Sequence, residues 1–217
     1  YYQALKRHPQ PEPSFWAGTD EAGKGDYFGP LVVAGVALRR TDLEILFTLG
    51  VDDSKAVPDG RIPEIERGIR GLCMTEVLTI GPEKYNALYA KIGNLNKLLA
   101  WAHCKVIENL LTRAEDPAIE WILIDRFASE HVIKRSLGPL GREARIDQWP
   151  KAESDPAVGA ASVLARGAYL RGLKSLSQRF GVQLRGGAGG PTLASGREFI
   201  SKHGVTALNQ VGKLHFA

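Results

Sequence analysis

The sequence predicts an α/β fold, a mixed sheet with helices on both faces. Three observations carry this. Short apolar runs of strand length stand at Phe15 to Thr19, Pro30 to Leu38, Thr75 to Ile80 and Trp121 to Ile124. Longer segments repeat apolar residues at helical spacing, above all Asn94 to Thr112, where Leu95, Leu98, Leu99, Ala102, Val106 and Leu110 share a face. The two kinds of segment alternate along the chain, as strands joined by crossover helices do.

The elements follow in order. Residues 1–14 are polar and proline-bearing and read as a tail or linker, leaving 15–217 as the folded domain. The strand Phe15 to Thr19 ends at Asp20 and Glu21, before a glycine-rich turn from Gly23 to Gly29. The run PLVVAGVAL is apolar throughout rather than alternating, which predicts a strand buried on both faces. This strand–turn–strand opening predicts an antiparallel pair at the start of the sheet. A helix is expected over Arg61 to Leu72, a strand at Thr75 to Ile80, and helices over Pro82 to Tyr89 and Asn94 to Thr112. The strand WILI leads into Asp125, and a fifth strand is expected at Ala144 to Trp149. Ala157 to Phe180 reads as a long helix closed by Gly181. Arg185 to Gly190 reads as a flexible glycine loop, and two short helices are expected to end the chain.

Composition narrows the function classes. Hydrophobic residues make up 44% of the 217 residues and charged residues 24%, which suffices for one ordinary soluble domain. The two cysteines, Cys73 and Cys104, are far apart and lack metal-ligand spacing, so neither a disulfide framework nor a structural zinc is expected. A cytoplasmic setting and small buried thiols are the simplest reading. No apolar run is long enough to span a bilayer. The chain starts at Tyr1 and its only methionine is Met74, so residues are expected to be missing from the N-terminus. A net charge of +4 permits a polyanionic partner without identifying one.

The acids point to chemistry. Asp20 and Asp125 each follow a buried strand, and carboxyl ends of strands are where functional groups gather in such sheets. Gathered carboxylates repel one another unless a cation lies among them. Hard divalent ions take oxygen ligands, and two such ions about 4 Å apart can flank a phosphodiester. Asp20, Glu21, Asp125 and Glu153 form a suitable donor set. Each also has a plainer reading: Asp20 and Glu21 as a solvated turn, Asp125 as a helix cap, Glu153 as a capping-box acid. Asp155 is an alternative to Glu153. His103, on the apolar-rich helix, reads as packed or solvated rather than as a ligand.

Taken together, the motifs resemble a known family. TDEAGKGDYFGPLVVAGVAL resembles the opening of the type 2 ribonucleases H, where a DEAGRG-like segment follows the first strand. DDSK at Asp52 to Lys55, LID at Leu123 to Asp125 and KAESDPAVGAASVLAR at Lys151 to Arg166 resemble its later segments, in the same order. GDYFGP, YNALYAKIGNLNKLLAWAH and VGKLHF are similar to the ribonuclease HIII form. Glu153 stands where ribonuclease HII carries Asp, so the set is D-E-D-E.

The resemblance implies a ribonuclease H-like fold with a five-stranded mixed sheet. It implies a metal-dependent endonuclease, using Mg²⁺ or Mn²⁺, that cuts the RNA strand of RNA/DNA hybrids and leaves 5′-phosphates. Asp20, Glu21, Asp125 and Glu153 would be the catalytic metal ligands. Gly23 and Gly25 would bring backbone amides to the RNA strand. Lys24, Ser54, Lys55 and Lys151 would contact the nucleic-acid backbone, and Asn94 and Asn96 the minor groove, with helix capping the plainer role for Asn94. Two alternatives remain at this point: ribonuclease HII-like cutting at single ribonucleotides in DNA, and a non-catalytic hybrid-binding module. Two departures stand out. No N-terminal substrate-binding domain of the HIII kind is seen, and Lys24 occupies the place of the arginine in HII, lacking its planar fork. No membrane or obligate protein partner is expected, and a monomer is the default.

Overall fold

The computed structural model describes residues 5–51, 57–114 and 118–216. Its strands are β1 (Phe15–Ala22), β2 (Leu31–Arg39), β3 (Met74–Ile80), β4 (Trp121–Asp125) and β5 (Ile146–Trp149). They form one five-stranded sheet in the order β3-β2-β1-β4-β5. β1 pairs antiparallel with β2, and β2 with β3. β4 runs parallel to both β1 and β5. The sheet is therefore mixed, with β1 at its centre, and the expected opening pair is antiparallel.

The helices are α1 (Leu43–Thr48), α2 (Ile62–Leu72), α3 (Pro82–Ile92), α4 (Leu95–Arg113), α5 (Glu130–Ser136), α6 (Pro139–Glu143), α7 (Pro156–Phe180) and α8 (Gly190–His203). Two apolar layers fill the space between helices and sheet. One joins Trp16, Val36 and Leu123 to α2 and α7. The other joins Ala17, Val33 and Ile122 to α4. Every β2 residue except Arg39 is buried, as an inner strand covered on both faces requires. Each fully buried Val, Leu or Ile contributes about 1.5–3 kcal/mol, so these layers hold the sheet rigid beneath its carboxyl end.

α7 lies hard against β1 because Gly18 has no side chain. A Cβ there would meet the Val158 amide nitrogen at 2.3 Å. The start of α7 is fixed by Asp155, whose Oδ1 accepts the amides of Ala157 (2.9 Å) and Val158 (3.4 Å). Asp155 is fully buried and also accepts the indole N–H of Trp16. These bonds occupy it as the cap of α7 rather than as a stand-in for Glu153.

Several expectations are corrected. β1 continues through Ala22 because the ladder with β2 extends to Val32, so Asp20 and Glu21 lie inside the strand rather than after it. Likewise Asp125 is the last residue of β4. The residues 5–14 are anchored: His8 is buried, and its Nε2 lies 2.7 Å from Asp155 Oδ2, among the rings of Trp16, Trp121 and Trp149. The glycine loop is tied down, since the Tyr27 amide donates to Gly187 O and the Gly187 amide to Asp26. A 14-residue helix, α8, follows it instead of a short one. Helices α1, α5 and α6 have 6, 7 and 5 residues, too short for a periodic signal.

Candidate active site

β1 and β4 are parallel neighbours with Thr19 opposite Ile124, so Asp20 and Asp125 come next, side by side. The two-residue alternation of a strand sends Asp20 to one face and Glu21 to the other. Asp20 faces α7, where the Ser162 hydroxyl donates to it. Glu21 faces α4, where its Oε2 lies 3.1 Å from His103 Nε2. His103 is fully buried and its Nδ1 lies 2.9 Å from Thr19 Oγ1. Its ring also stacks on Phe127, just beyond β4, at 4.7 Å between centroids.

The fourth acid approaches from β5. Lys151 takes the left-handed conformation, with φ 56° and ψ 47°, which costs a non-glycine residue about 1–2 kcal/mol. This reverses the chain into the 3₁₀ turn Ala152–Ser154. The Ala152 amide donates to Asp125 Oδ1 at 2.8 Å. Glu153, half-buried in that turn, is thereby held next to the β4 end.

Burial first, and then the charges of Glu21 and Asp125, push the Asp20 carboxyl up from 3.8 to about 7, against the Glu21 amide and Ser162. Glu21 moves the other way. Burial would raise it, but the hydrogen bond and charge of His103 and the nearby Lys24 outweigh burial and hold it below its ordinary value. Lys24 Nζ lies 3.4 Å from Glu21 Oε1. Among the described residues no three His, Cys, Asp or Glu side chains close into a ready metal cage. Glu21 is engaged by His103 and Lys24, and Asp125 by the Ala152 amide. The donor set itself is all carboxylate oxygen, the kind hard divalent cations take. Burial pushes the Cys73 and Cys104 thiols up to about 12, so neither is poised as a nucleophile.

The other expected residues divide. Gly23 has φ +86° and a Cβ there would meet Pro30 O at 2.2 Å, so the turn after β1 requires glycine. Gly25 stands open, with nothing within 4 Å of a built Cβ. Lys151 is exposed beside the Glu153 turn. Asn94 caps α4, accepting the Lys97 amide at 3.0 Å, and Asn96 is exposed in the same first turn. They lie about 10–14 Å along the helix from His103, apart from the acids. Ser54 and Lys55 lie outside the described residues. Sequence reasoning took His103 as packed or solvated, and it is packed, but missed its bond to Glu21 and missed Ser162. The signal for His103 was its place on the buried face, four residues after Leu99; Ser162 was a lone hydroxyl among the alanines of α7.

Known proteins share the sequence and the fold of this chain. A family model described as Ribonuclease HII matches residues 17–217. Ribonuclease HIII of Chlamydia pneumoniae is 43% identical over 202 residues, 92% of this chain and 67% of that protein. Ribonuclease HIII of Protochlamydia amoebophila (strain UWE25) is 39% identical over 199 residues, 92% of this chain and 65% of that protein. The crystal structure of Bst-RNase HIII in complex with Mn²⁺ matches with a TM-score of 0.91 at 32% identity, covering 99% of this chain and 70% of that one. The RNase HII in the PCNA complex from Archaeoglobus fulgidus matches with a TM-score of 0.75 at 32% identity, covering 91% and 93%. The chain spans about two thirds of the length of these curated relatives. With the match running through the sheet and the helices around it, the chain belongs to the ribonuclease HII family of ribonucleases H and stands with its ribonuclease HIII members.

Proposed function

We propose that this chain hydrolyses the RNA strand of RNA/DNA hybrids, with Mg²⁺ or Mn²⁺ held by Asp20, Glu21, Asp125 and Glu153. The observation that carries the reading is the pairing of Asp20 and Asp125 on adjacent parallel strands, with the Glu153 turn hydrogen-bonded to Asp125. Burial, and then the charges of Glu21 and Asp125, raise the Asp20 carboxyl, and a bound cation would offset that like-charge repulsion. The Mn²⁺ complex of the similar Bst-RNase HIII supports the choice of ion. When bound, such ions activate the attacking water and stabilise the leaving oxygen.

The chain's own residues do the rest. His103 and Thr19 orient Glu21, as outer-shell partners orient metal-binding carboxylates. Gly23 holds the turn that brings backbone amides to the RNA strand, where the 2′-hydroxyl distinguishes RNA from DNA. Lys24 and Lys151, at the edge of the cluster, contact phosphates and position the strand without reading sequence.

The test is cleavage, in Mg²⁺ and in Mn²⁺, of an RNA/DNA hybrid, a DNA duplex with one embedded ribonucleotide, and double-stranded RNA. Cutting of the hybrid alone is expected, with loss in excess EDTA and in Asp125→Asn. Efficient cutting at the single ribonucleotide would move the assignment to ribonuclease HII-like activity. Hybrid binding without cutting in either metal would make the chain a binding module.

A further inference from the structure

Lys213 is a fully buried lysine far from the acids in sequence. Its Nζ donates to Asp26 O at 2.8 Å, to Gly29 O at 2.8 Å and to Phe28 O at 3.5 Å. An ammonium has three protons, and all three are directed at carbonyls of one short segment, the second half of the glycine-rich turn. The backbone around Lys213 reinforces the grip. Its amide donates to Tyr27 O at 2.8 Å, the Gly29 amide donates to Val211 O at 3.0 Å, and Phe28 bridges to Gly212. Asn86 on α3 fastens the same C-terminal segment, donating to Gly212 O at 2.9 Å and accepting the Leu214 amide at 3.0 Å.

Burying an ammonium is costly, and here burial pulls the Lys213 pKa down to about 8 against the charge of Asp26. A methionine would fill the same space without that cost, but it could not hold three carbonyls in one direction. Other bonds to this segment run from the Gly187 and Tyr169 side and from the Val211 backbone, but glycines at 23, 25 and 29 restrict the backbone least, so loss of the lysine's three bonds leaves the turn freer to shift.

We infer that Lys213 is a positioning residue for the RNA strand: its buried ammonium fixes the Asp26–Gly29 carbonyls and so sets the face that the turn beginning at Gly23 presents to substrate. The C-terminal segment is thereby part of the binding apparatus. This rests on the hybrid-cleaving reading above.

The experiment compares wild type, Lys213→Met and Asn86→Ser. It measures kcat and KM on an RNA/DNA hybrid, Mn²⁺ affinity without substrate, and thermal melting. The inference expects Lys213→Met to raise KM about tenfold or more, with kcat within about threefold and Mn²⁺ affinity unchanged. Asn86→Ser, which loosens the same segment with the lysine intact, should raise KM less. If Lys213→Met fails to fold, a KM rise in folded Asn86→Ser still supports the inference, and its absence overturns it. A lower melting temperature with KM unchanged in the folded variant overturns it in favour of a stabilising role alone. A fall in kcat at constant KM also overturns it. Wild-type protein that cleaves no hybrid refutes the underlying reading instead, and is recognised before any variant is compared.

Discussion

His103 Nε2 lies 3.1 Å from Glu21 Oε2, while its Nδ1 lies 2.9 Å from Thr19 Oγ1. One buried ring thus holds two residues of β1 that point to the same face. Glu21 is held on the α4 side by this ring together with Lys24. Replacing His103 with Ala is expected to weaken Mn²⁺ affinity and kcat by about 10–100-fold, the range for loss of an outer-shell partner. Gln at this position keeps a donor toward Glu21 and should recover part of the loss. Calorimetric Mn²⁺ titration with single-turnover cleavage checks both; affinity unchanged in His103→Ala would refute the role.

Asp20 ties stability to pH. Its carboxyl is raised from 3.8 to about 7 in the fold, so between those values the native state holds a proton that the unfolded chain has lost. Its contribution to stability is present below about 4 and is lost as pH rises through about 7. Without divalent cations, the melting temperature should fall over that window relative to Asp20→Asn, and the variant should be the more stable protein at pH 8. Saturating Mg²⁺ should erase this difference, since binding needs the ionised form. A wild type as stable as the variant at pH 8 in EDTA would contradict the raised carboxyl.

The glycine-rich turn offers a paired test. Gly23→Ala would place a methyl 2.2 Å from Pro30 O at a φ of +86°, and should destabilise the fold by about 1–3 kcal/mol in urea unfolding. Gly25→Ala meets nothing within 4 Å, so its stability should change by less than about 0.5 kcal/mol. A raised KM in Gly25→Ala would then report the approach of the RNA strand itself.

The anchor of the N-terminal residues makes a stability prediction. His8 and Asp155 form a fully buried pair at 2.7 Å. Removing one partner of such a pair leaves the other unsatisfied, at about 1–3 kcal/mol, and truncating the buried ring among the tryptophans adds its lost packing. Part of that cost is returned here because Asp155 keeps the Trp16 indole and two helix amides. His8→Ala should therefore lose about 2–4 kcal/mol in urea unfolding. A loss below about 0.5 kcal/mol would mean that residues 5–14 are not held by this contact.

The sequence by itself determined the elements whose signal is local. Apolar runs marked four of the five strands within a few residues and helical spacing marked α4, because burial of a continuous face imposes a period on the chain; α7 was marked by its length and its closing Gly181. The glycine at 23 and Asp125 at the end of β4 were legible for the same reason: a turn and a strand terminus are short-range features. Tertiary structure decided what depends on neighbours distant in sequence. The β2 ladder carried β1 on through Glu21, and α1, α5 and α6 owe their helicity to packing rather than to their own few residues. His103, Ser162 and the Ala152 amide joined the acid cluster only when β1, β4, α4 and α7 met. Asp155, two residues from Glu153 and chemically as eligible, was claimed by His8, Trp16 and the start of α7. A carboxylate's role is set by the donors and charges around it, and those come from segments that only the fold brings together.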